Sequence, residues 1–302
     1  MYDLIIIGAG PAGMNAALYA ARYKMKVALI GKLPGGYVNE AHLVENWLGD
    51  KSIPGLQLAE RFKDHIKSLE IDFIESGVRG ITKGDDGYEV VAESQKDSLK
   101  SPRLILALGT ERKKLNIKGE EEFLGKGVSY CVTCDGFFFR DRVVAVVGGS
   151  DSACTGSIML ADIAKKVYLI YRQGELRAEP AWVEEVKKNP KIEVVYNANP
   201  VEVKGENIVK SVALDNGTEL EIDGLFIEIG TTPGAALING LGVETDEKGY
   251  IKVDENMKTN LDKVWAAGDI TTANSKLKQI VVAASEGAVA TYNAFLDKKS
   301  SN

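Results

Sequence analysis

The stretch "DLIIIGAGPAGMNAALYAARY", residues 3–23, decides the fold. Residues 3–7, "DLIII", form the short apolar run of a fully buried parallel strand, and "GAGPAG" turns straight into the helix-forming "MNAALYAARY". Gly8, Gly10 and Gly13 therefore stand at GxGxxG spacing in a strand–turn–helix context. Gly8 permits the tight turn, Gly10 lets the backbone approach a pyrophosphate, and Gly13 lets helix and strand pack closely. The next strand, "VALI", ends at Ile30, and Gly31 follows where an acidic residue often holds a ribose, so nicotinamide specificity is not written here. A helix is predicted over 56–69, with Leu58, Phe62, Ile66 and Leu69 at helical spacing as its core face.

Working outward, the same pattern returns at residues 142–166. "RVVAVV" reads as a second buried strand, followed by "GGSDSA" and the helical "CTGSIMLADIAKK". Gly148 and Ala153 fit a GxGxxA form, with Ser150 in place of the second glycine. Each half then carries a hairpin signal, "DDGY" at 85–88 and "LDNGTEL" at 214–220, and a strand running into glycine, "LILALGT" and "LFIEIGT". The fold class is α/β: two Rossmann-like, three-layer dinucleotide-binding domains. Residues 241–302 contain too little to fold alone, and "VWAAGDI" at 264–270 reads as a final strand of the first domain. The second domain, 112–239, is thus expected as an insertion into the first, 1–111 and 240–302. Its second strand, "VYLIYR", ends on Arg172, with Arg177 close behind; two guanidiniums at this place suit a 2′-phosphate.

Composition narrows the function classes. The 302 residues are 45% hydrophobic and 26% charged, with a net charge of −6. No basic block exists to displace phosphate counterions, so neither nucleic acid nor an anionic membrane is an expected partner. The longest apolar runs are too short to span a bilayer. "MYDLIIIGAG" carries no basic leader, and a cytoplasmic, reducing location is the expectation. There a cysteine pair is more often metal-binding or catalytic than structural.

Such a pair stands in "SYCVTCDGFFF", residues 129–139, as Cys131 and Cys134. The spacing alone leaves a zinc site, a staple and a reactive disulfide open. Zinc needs four ligands, and outside the pair the chain offers Cys154, His42 and His65, none at a second paired spacing, so no metal is expected. Cys154, in a helix rich in small residues, reads as an ordinary buried thiol. Phe137 to Phe139 read as a core strand or loop plug, ahead of an apolar face for a partner.

Together "GAGPAG", "LVENWLGD", "CVTCDGFFF", "GGSDSA", "YRQGELRA" and "AAGDITT" followed by "KQIVVAASEGAVA" resemble the low-molecular-weight thioredoxin reductases over nearly the full chain. The resemblance implies FAD in the first domain, NADPH in the second, and a redox disulfide between Cys131 and Cys134 that passes electrons to thioredoxin or a similar small dithiol protein. It places Gly8, Gly10 and Ala12 against the FAD pyrophosphate, Asn46 near the isoalloxazine, and Asp269 on the ribityl chain. Lys278, Gln279 and Ile280 fall at the start of the last helix, whose N-terminus can stabilise negative charge on a reduced flavin. Pro11, Gly13, Gly31, Gly36, Tyr37, Val78, Gly109, Thr110 and Gly268 complete the implied FAD site. Gly148, Gly149, Ser150, Asp151, Ser152, Ala153, Arg172 and Arg177 make the implied NADP site. It further implies a homodimer, Cys134 as the sulfur nearer the flavin, and Cys131 as the one that attacks the partner. Asp135 is then the acid/base that protonates the departing thiolate.

The chain departs from the family pattern at Tyr37, Ser150, Tyr171, Gln173 and Ser285. Three of these fall in the pyridine-nucleotide site, so NADH, a reduced deazaflavin or ferredoxin stand as alternative reductants. Because the cysteines precede the second domain's first strand, disulfide and nicotinamide travel on one body, which suggests alternating domain orientations. An FAD dithiol oxidase and a non-enzymatic flavin redox sensor are the rival functions.

Overall fold

The computed structural model describes residues 1–41, 44–273 and 277–300; His42, one of the zinc candidates, lies outside them. The chain forms two compact units: Met1–Asn39, Val44–Glu111 and Thr232–Asn302 make the first, and Glu40–Leu43 with Arg112–Thr231 the second.

In the first unit the apolar runs become β1 (Leu4–Ile7) and β2 (Val27–Ile30), buried at every position, as a strand covered on both faces requires. Helix α1 (Pro11–Arg22) lies between them, with proline in its first turn, where no backbone donor is lost. Then come α2 (Gly55–Lys67), β3 (Asp72–Ile74), the antiparallel β4 (Val78–Gly84), β5 (Gly87–Ala92) and β6 (Leu99–Ser101), and β7 (Leu104–Leu106). Leu69 lies outside α2, whose last turn closes where Ser68 N–H bonds back to Asp64 O, yet it still packs on the same core. Strand β8 (Thr110–Arg112) carries the chain across.

The second unit begins with β9 (Val128–Ser129) and a one-turn helix α3 (Val132–Asp135), before β10 (Val143–Val147), α4 (Asp151–Ile163), β11 (Lys166–Tyr171), α5 (Pro180–Lys188) and β12 (Ile192–Tyr196). An antiparallel layer of β13 (Pro200–Gly205), β14 (Val209–Leu214) and β15 (Glu219–Glu221) precedes β16 (Gly224–Ile227). Strand β17 (Thr231–Pro233) returns the chain, and β18 (Val264–Ala266) and α6 (Ile280–Ser300) complete the first unit. The return falls at Thr232, earlier than the expected 240, because Leu237 and Ile238 pack into the first unit's core.

Both units are built on a five-stranded parallel sheet, ordered β18-β7-β1-β2-β3 in the first and β12-β11-β10-β16-β9 in the second. Alternate residues serve opposite faces. Leu4 and Ile6 of β1 meet the α1/α6 layer, while Ile5 and Ile7 meet Tyr88, Val90 and Ala92 of the antiparallel layer. In the second unit Val144 and Val146 face α4, and Ala145 and Val147 face Val203, Val209 and Val212. Helices α1 and α6 touch through Ala16, Ala17, Ala20, Ala290 and Ala294. A Cβ on Gly287 would come 2.1 Å from Ala12 O, so a residue without a side chain is needed there. Among the described residues no helix is long and apolar enough to cross a membrane.

The sheets differ in the origin of their fifth strand. In the first it is β18, beyond the inserted unit; in the second it is β9, ahead of the Gly148 loop. That early edge strand delivers the cysteine pair to the carboxyl end of its sheet, where ligands bind in open α/β folds.

Candidate active site

Strand β9 ends on Ser129, held by parallel pairing of Ser129 with Phe226, and the cysteine motif begins two residues later. Cys131 and Cys134 form a disulfide, with Cα atoms 5.3 Å apart. Cys131 is the N-cap of α3: its Sγ accepts the Cys134 N–H at 3.1 Å. Thr133 Oγ1 lies 3.4 Å from the same sulfur. Cys131 is half-buried and Cys134 exposed. Ser129 Oγ accepts the Cys131 N–H at 3.0 Å and donates to Asp135 Oδ2 at 2.6 Å, so the acid beside the pair is tied to its backbone.

The phenylalanine triplet departs from the expected core strand or loop plug. Residues Gly136–Phe139 form a 3-10 helix. With three residues per turn, Gly136 and Phe139 share the inner face. Phe139 packs edge-on against Phe226 at 5.3 Å between centroids, over Gly224. Phe137 and Phe138 point outward, 66% and 79% exposed. Cys154 is fully buried, and burial, then the charge of Asp151, pushes its thiol up to about 12; it is an inert thiol, as expected.

At the same end of this sheet, Gly148 (φ +148°) turns β10 toward α4, and a Cβ there would meet Glu228 O at 2.2 Å. Ser150 is the N-cap of α4 and makes no capping bond with its own side chain, so the helix N-terminus keeps its donors. Asp151 instead accepts Glu179 N–H at 2.7 Å, and Arg177 N–H donates to Gly149 O at 2.8 Å, which joins the loop after β11 to the glycine loop. Ala153 is buried beneath Gly148, and Ser152 is exposed in the first turn. Arg172 and Arg177 are exposed and make no ion pair among the described residues.

In the first unit the predicted residues gather at the carboxyl ends of β1, β2, β7 and β18. Gly8 (φ +114°) passes so near Ala107 that a Cβ would lie 2.0 Å from its carbonyl oxygen, and one on Gly13 would lie 1.8 Å from Gly8 O. Gly10 differs: a Cβ on it would meet nothing nearer than Gly36 Cα at 4.0 Å. Pro11 and Ala12 open α1, whose N-cap Gly10 provides no side chain. Gly31 packs on Ala9, and Gly36 (φ +56°) opens a 3-10 helix in which Tyr37 is 38% exposed. Gly109 (φ +64°) has open space around it, and Thr110 Oγ1 is buried with no hydrogen-bond partner among the described residues. Asn46 Nδ2 donates to Gln279 Oε1 at 3.0 Å, beside Ile280 at the start of α6. Val78 opens β4 opposite Ala92, in the antiparallel layer. Gly10, open at the N-terminus of α1, and the orphaned Thr110 hydroxyl fit a dinucleotide.

The charges here are desolvated. Burial raises the Asp269 carboxyl, opposed by the charge of Lys278 and reinforced by Glu286. Burial lowers the Lys278 ammonium, opposed by Asp269 and Glu286. Lys278 Nζ donates to Asp269 O at 2.7 Å and lies 4.6 Å above the Tyr250 ring.

Sequence reasoning missed three partners. Glu286, 5% exposed on α6, accepts Gly268 N–H at 2.8 Å and the Thr271 hydroxyl at 3.0 Å, fixing the turn that presents Asp269. Glu228, just past β16, pairs with Arg112 at 3.0 Å; burial raises its carboxyl against the pull of that guanidinium. Ser129 is the third.

The pyridine nucleotide-disulphide oxidoreductase model matches residues 2–287. A thioredoxin reductase of Listeria innocua is 38% identical over 301 residues, 97% of this chain and 93% of that protein. A crystal structure of Lactococcus lactis thioredoxin reductase, 35% identical, superposes with a TM-score of 0.93 over 99% of this chain and 100% of that one. That of T. acidophilum thioredoxin reductase, 37% identical, gives 0.93 over 99% of each. The chain therefore belongs to the pyridine nucleotide-disulphide oxidoreductase family, among its low-molecular-weight, FAD-dependent thioredoxin reductases.

Proposed function

We propose that this chain carries electrons from NADPH through FAD and the Cys131–Cys134 disulfide to a thioredoxin. The observation that carries the reading is the disulfide itself, formed at a strand end and hydrogen-bonded through Ser129 to Asp135. FAD, when bound, accepts two electrons from a nicotinamide and gives them to a disulfide. Gly8, Gly10 and Ala12 would hold its pyrophosphate, with Gly36, Gly109 and Thr110 completing that part of the site. Asn46, Asp269 and Lys278 to Ile280 would hold the flavin, with the N-terminus of α6 offering backbone donors to negative charge. Arg172 and Arg177 take the 2′-phosphate of NADPH, and the α4 N-terminus takes its pyrophosphate. Since the disulfide and the nucleotide loop belong to the same unit, they reach the flavin in turn.

In the exchange, Cys131 sulfur attacks one sulfur of the partner disulfide, and Asp135 gives its proton to the sulfur that leaves. Phe137 and Phe138, exposed beside the pair, offer the partner an apolar landing place. The outer side of α6, where Tyr292 is 49% and Leu296 42% exposed, supports a homodimer contact, which light scattering on the holoprotein tests.

The deciding experiment is an anaerobic titration of the yellow protein with NADPH, NADH and reduced deazaflavin in parallel, repeated with Cys134→Ser. NADPH should reduce the flavin in both proteins, and thioredoxin reduction should vanish in the variant. Flavin reduction by deazaflavin alone would make Tyr171 and Gln173 the signature of another donor. Flavin reduction by a dithiol, followed in air by rapid reoxidation with oxygen consumed, would instead indicate an oxidase.

A further inference from the structure

Ser129 is 5% exposed at the end of a two-residue strand, and among the described residues the hydrogen bonds of its hydroxyl go to the redox motif. It accepts the Cys131 N–H at 3.0 Å. Its single proton has two acceptors, Asp135 Oδ2 at 2.6 Å and Cys131 O at 3.3 Å, and the shorter bond to the Asp135 carboxyl prevails. A turn serine needs only the first of these bonds. The second spans six residues and fixes a side chain that packing alone would leave to rotate.

We infer that Ser129 is a positioning residue for thiol–disulfide exchange. With Oδ2 held as an acceptor by Ser129, the proton that Asp135 carries resides on Oδ1, and the carboxyl keeps one orientation relative to the cysteine backbone. The Cys131 thiolate forms a bond to one partner sulfur and breaks the partner's disulfide, and the departing sulfur takes the proton from Asp135 Oδ1. Cys134, its thiol proton passing to Asp135, then attacks the Cys131 sulfur of the mixed disulfide. The enzyme disulfide re-forms, the second partner sulfur takes that proton from Asp135, and the partner leaves as a dithiol with two electrons gained. Because Ser129 rests on a backbone-paired strand end, the orientation it imposes is the sheet's own. This inference rests on the reading of Asp135 as the acid/base.

The test is single-turnover oxidation of dithionite-reduced, FAD-loaded enzyme by a bacterial thioredoxin in its disulfide form. Wild type is compared with S129A, S129V, S129T, D135N and S129A/D135N, with flavin reduction by NADPH as the control for an intact fold. Losing the hydrogen bond that orients the Asp135 carboxyl should slow exchange about tenfold in S129A and S129V. S129T, which keeps the hydroxyl in the shape of valine, should stay near wild type, and S129A/D135N should be no slower than D135N alone. Unchanged exchange in S129A, or a further tenfold loss when S129A is added to D135N, overturns the inference. So does loss of FAD from both S129A and S129V, which would assign the hydroxyl to the fold. Wild-type exchange in D135N instead removes the reading of Asp135 beneath it.

Discussion

The ring of Tyr171 covers Gly149: a Cβ on that glycine would stand 2.5 Å from three atoms of the ring. Tyr171 is itself buried, and its hydroxyl donates to Gln173 at 2.9 Å. Glycine loop and arginine loop are thus one block. Gly149→Ala should force the ring aside and raise the KM for NADPH by about tenfold or more. Thioredoxin reduction by chemically reduced enzyme should be unaltered, and parallel steady-state and single-turnover kinetics check both.

Among the described residues the side chains of Arg172 and Arg177 make no ion pair. Arg177→Ala should leave the melting temperature within about a degree of wild type while raising the KM for NADPH about tenfold, the loss of one charge-assisted contact. The KM for NADH should not move. Equal losses for the two nucleotides would take the 2′-phosphate away from this arginine.

Glu286→Ala should cost about 2–4 kcal/mol, since it leaves the buried Gly268 N–H and Thr271 hydroxyl without their acceptor. The same variant should lose FAD on gel filtration, because the turn bearing Asp269 is no longer held. Glu286→Gln, which keeps one carbonyl acceptor, should lose less. Denaturant melts and the flavin-to-protein absorbance ratio measure both effects.

With its thiol raised to about 12 by burial, Cys154 should stay unmodified in the native protein. After mild reduction, iodoacetamide should label two thiols, and the third only in denaturant. Fast labelling of all three under native conditions would mean that α4 opens readily.

Asp3 couples the first strand to the end of the last helix. Burial would raise its carboxyl, but the hydrogen bond from Lys298, the Lys26 N–H and the charges of Lys298 and Arg103 lower it on balance. A carboxyl lowered by folding stabilises the folded state above its unfolded value of 3.8, and that contribution disappears as the pH falls through the lower folded value. Asp3→Asn should therefore lower stability at neutral pH, by about 1 kcal/mol for a half-buried surface pair, and flatten the fall of stability below pH 4. Melting curves across pH 2–7 show whether the two proteins converge at the acid end.

Both glycine turns were legible because each joins two strong local signals, an unbroken apolar run and glycines that only a tight turn requires. The insertion was legible because "VWAAGDI" had no other sheet to join. Strand β9 was not: two residues carry no periodicity, and only pairing with Phe226 makes Ser129 a strand end. Glu286 escaped for a similar reason, since a glutamate within a helix pattern reads as solvated until its carboxylate is seen beneath Gly268. The phenylalanine triplet misled because apolar content says what a residue gains by burial, whereas a three-residue turn decides which of three neighbours obtains it.

The first sheet takes its fifth strand from beyond the inserted unit, and this sets an order of birth. On the ribosome the second unit, complete at Thr231, is available to fold while the first still lacks β18 and α6. The half-made first sheet then exposes an open edge at β7 and the uncovered alanine face of α1, the surfaces through which nascent chains aggregate. Flavin loading has to wait for residues that follow the inserted unit, because Glu286 and the start of α6 come after it in the chain. The electron relay is thus assembled from its thioredoxin end backwards.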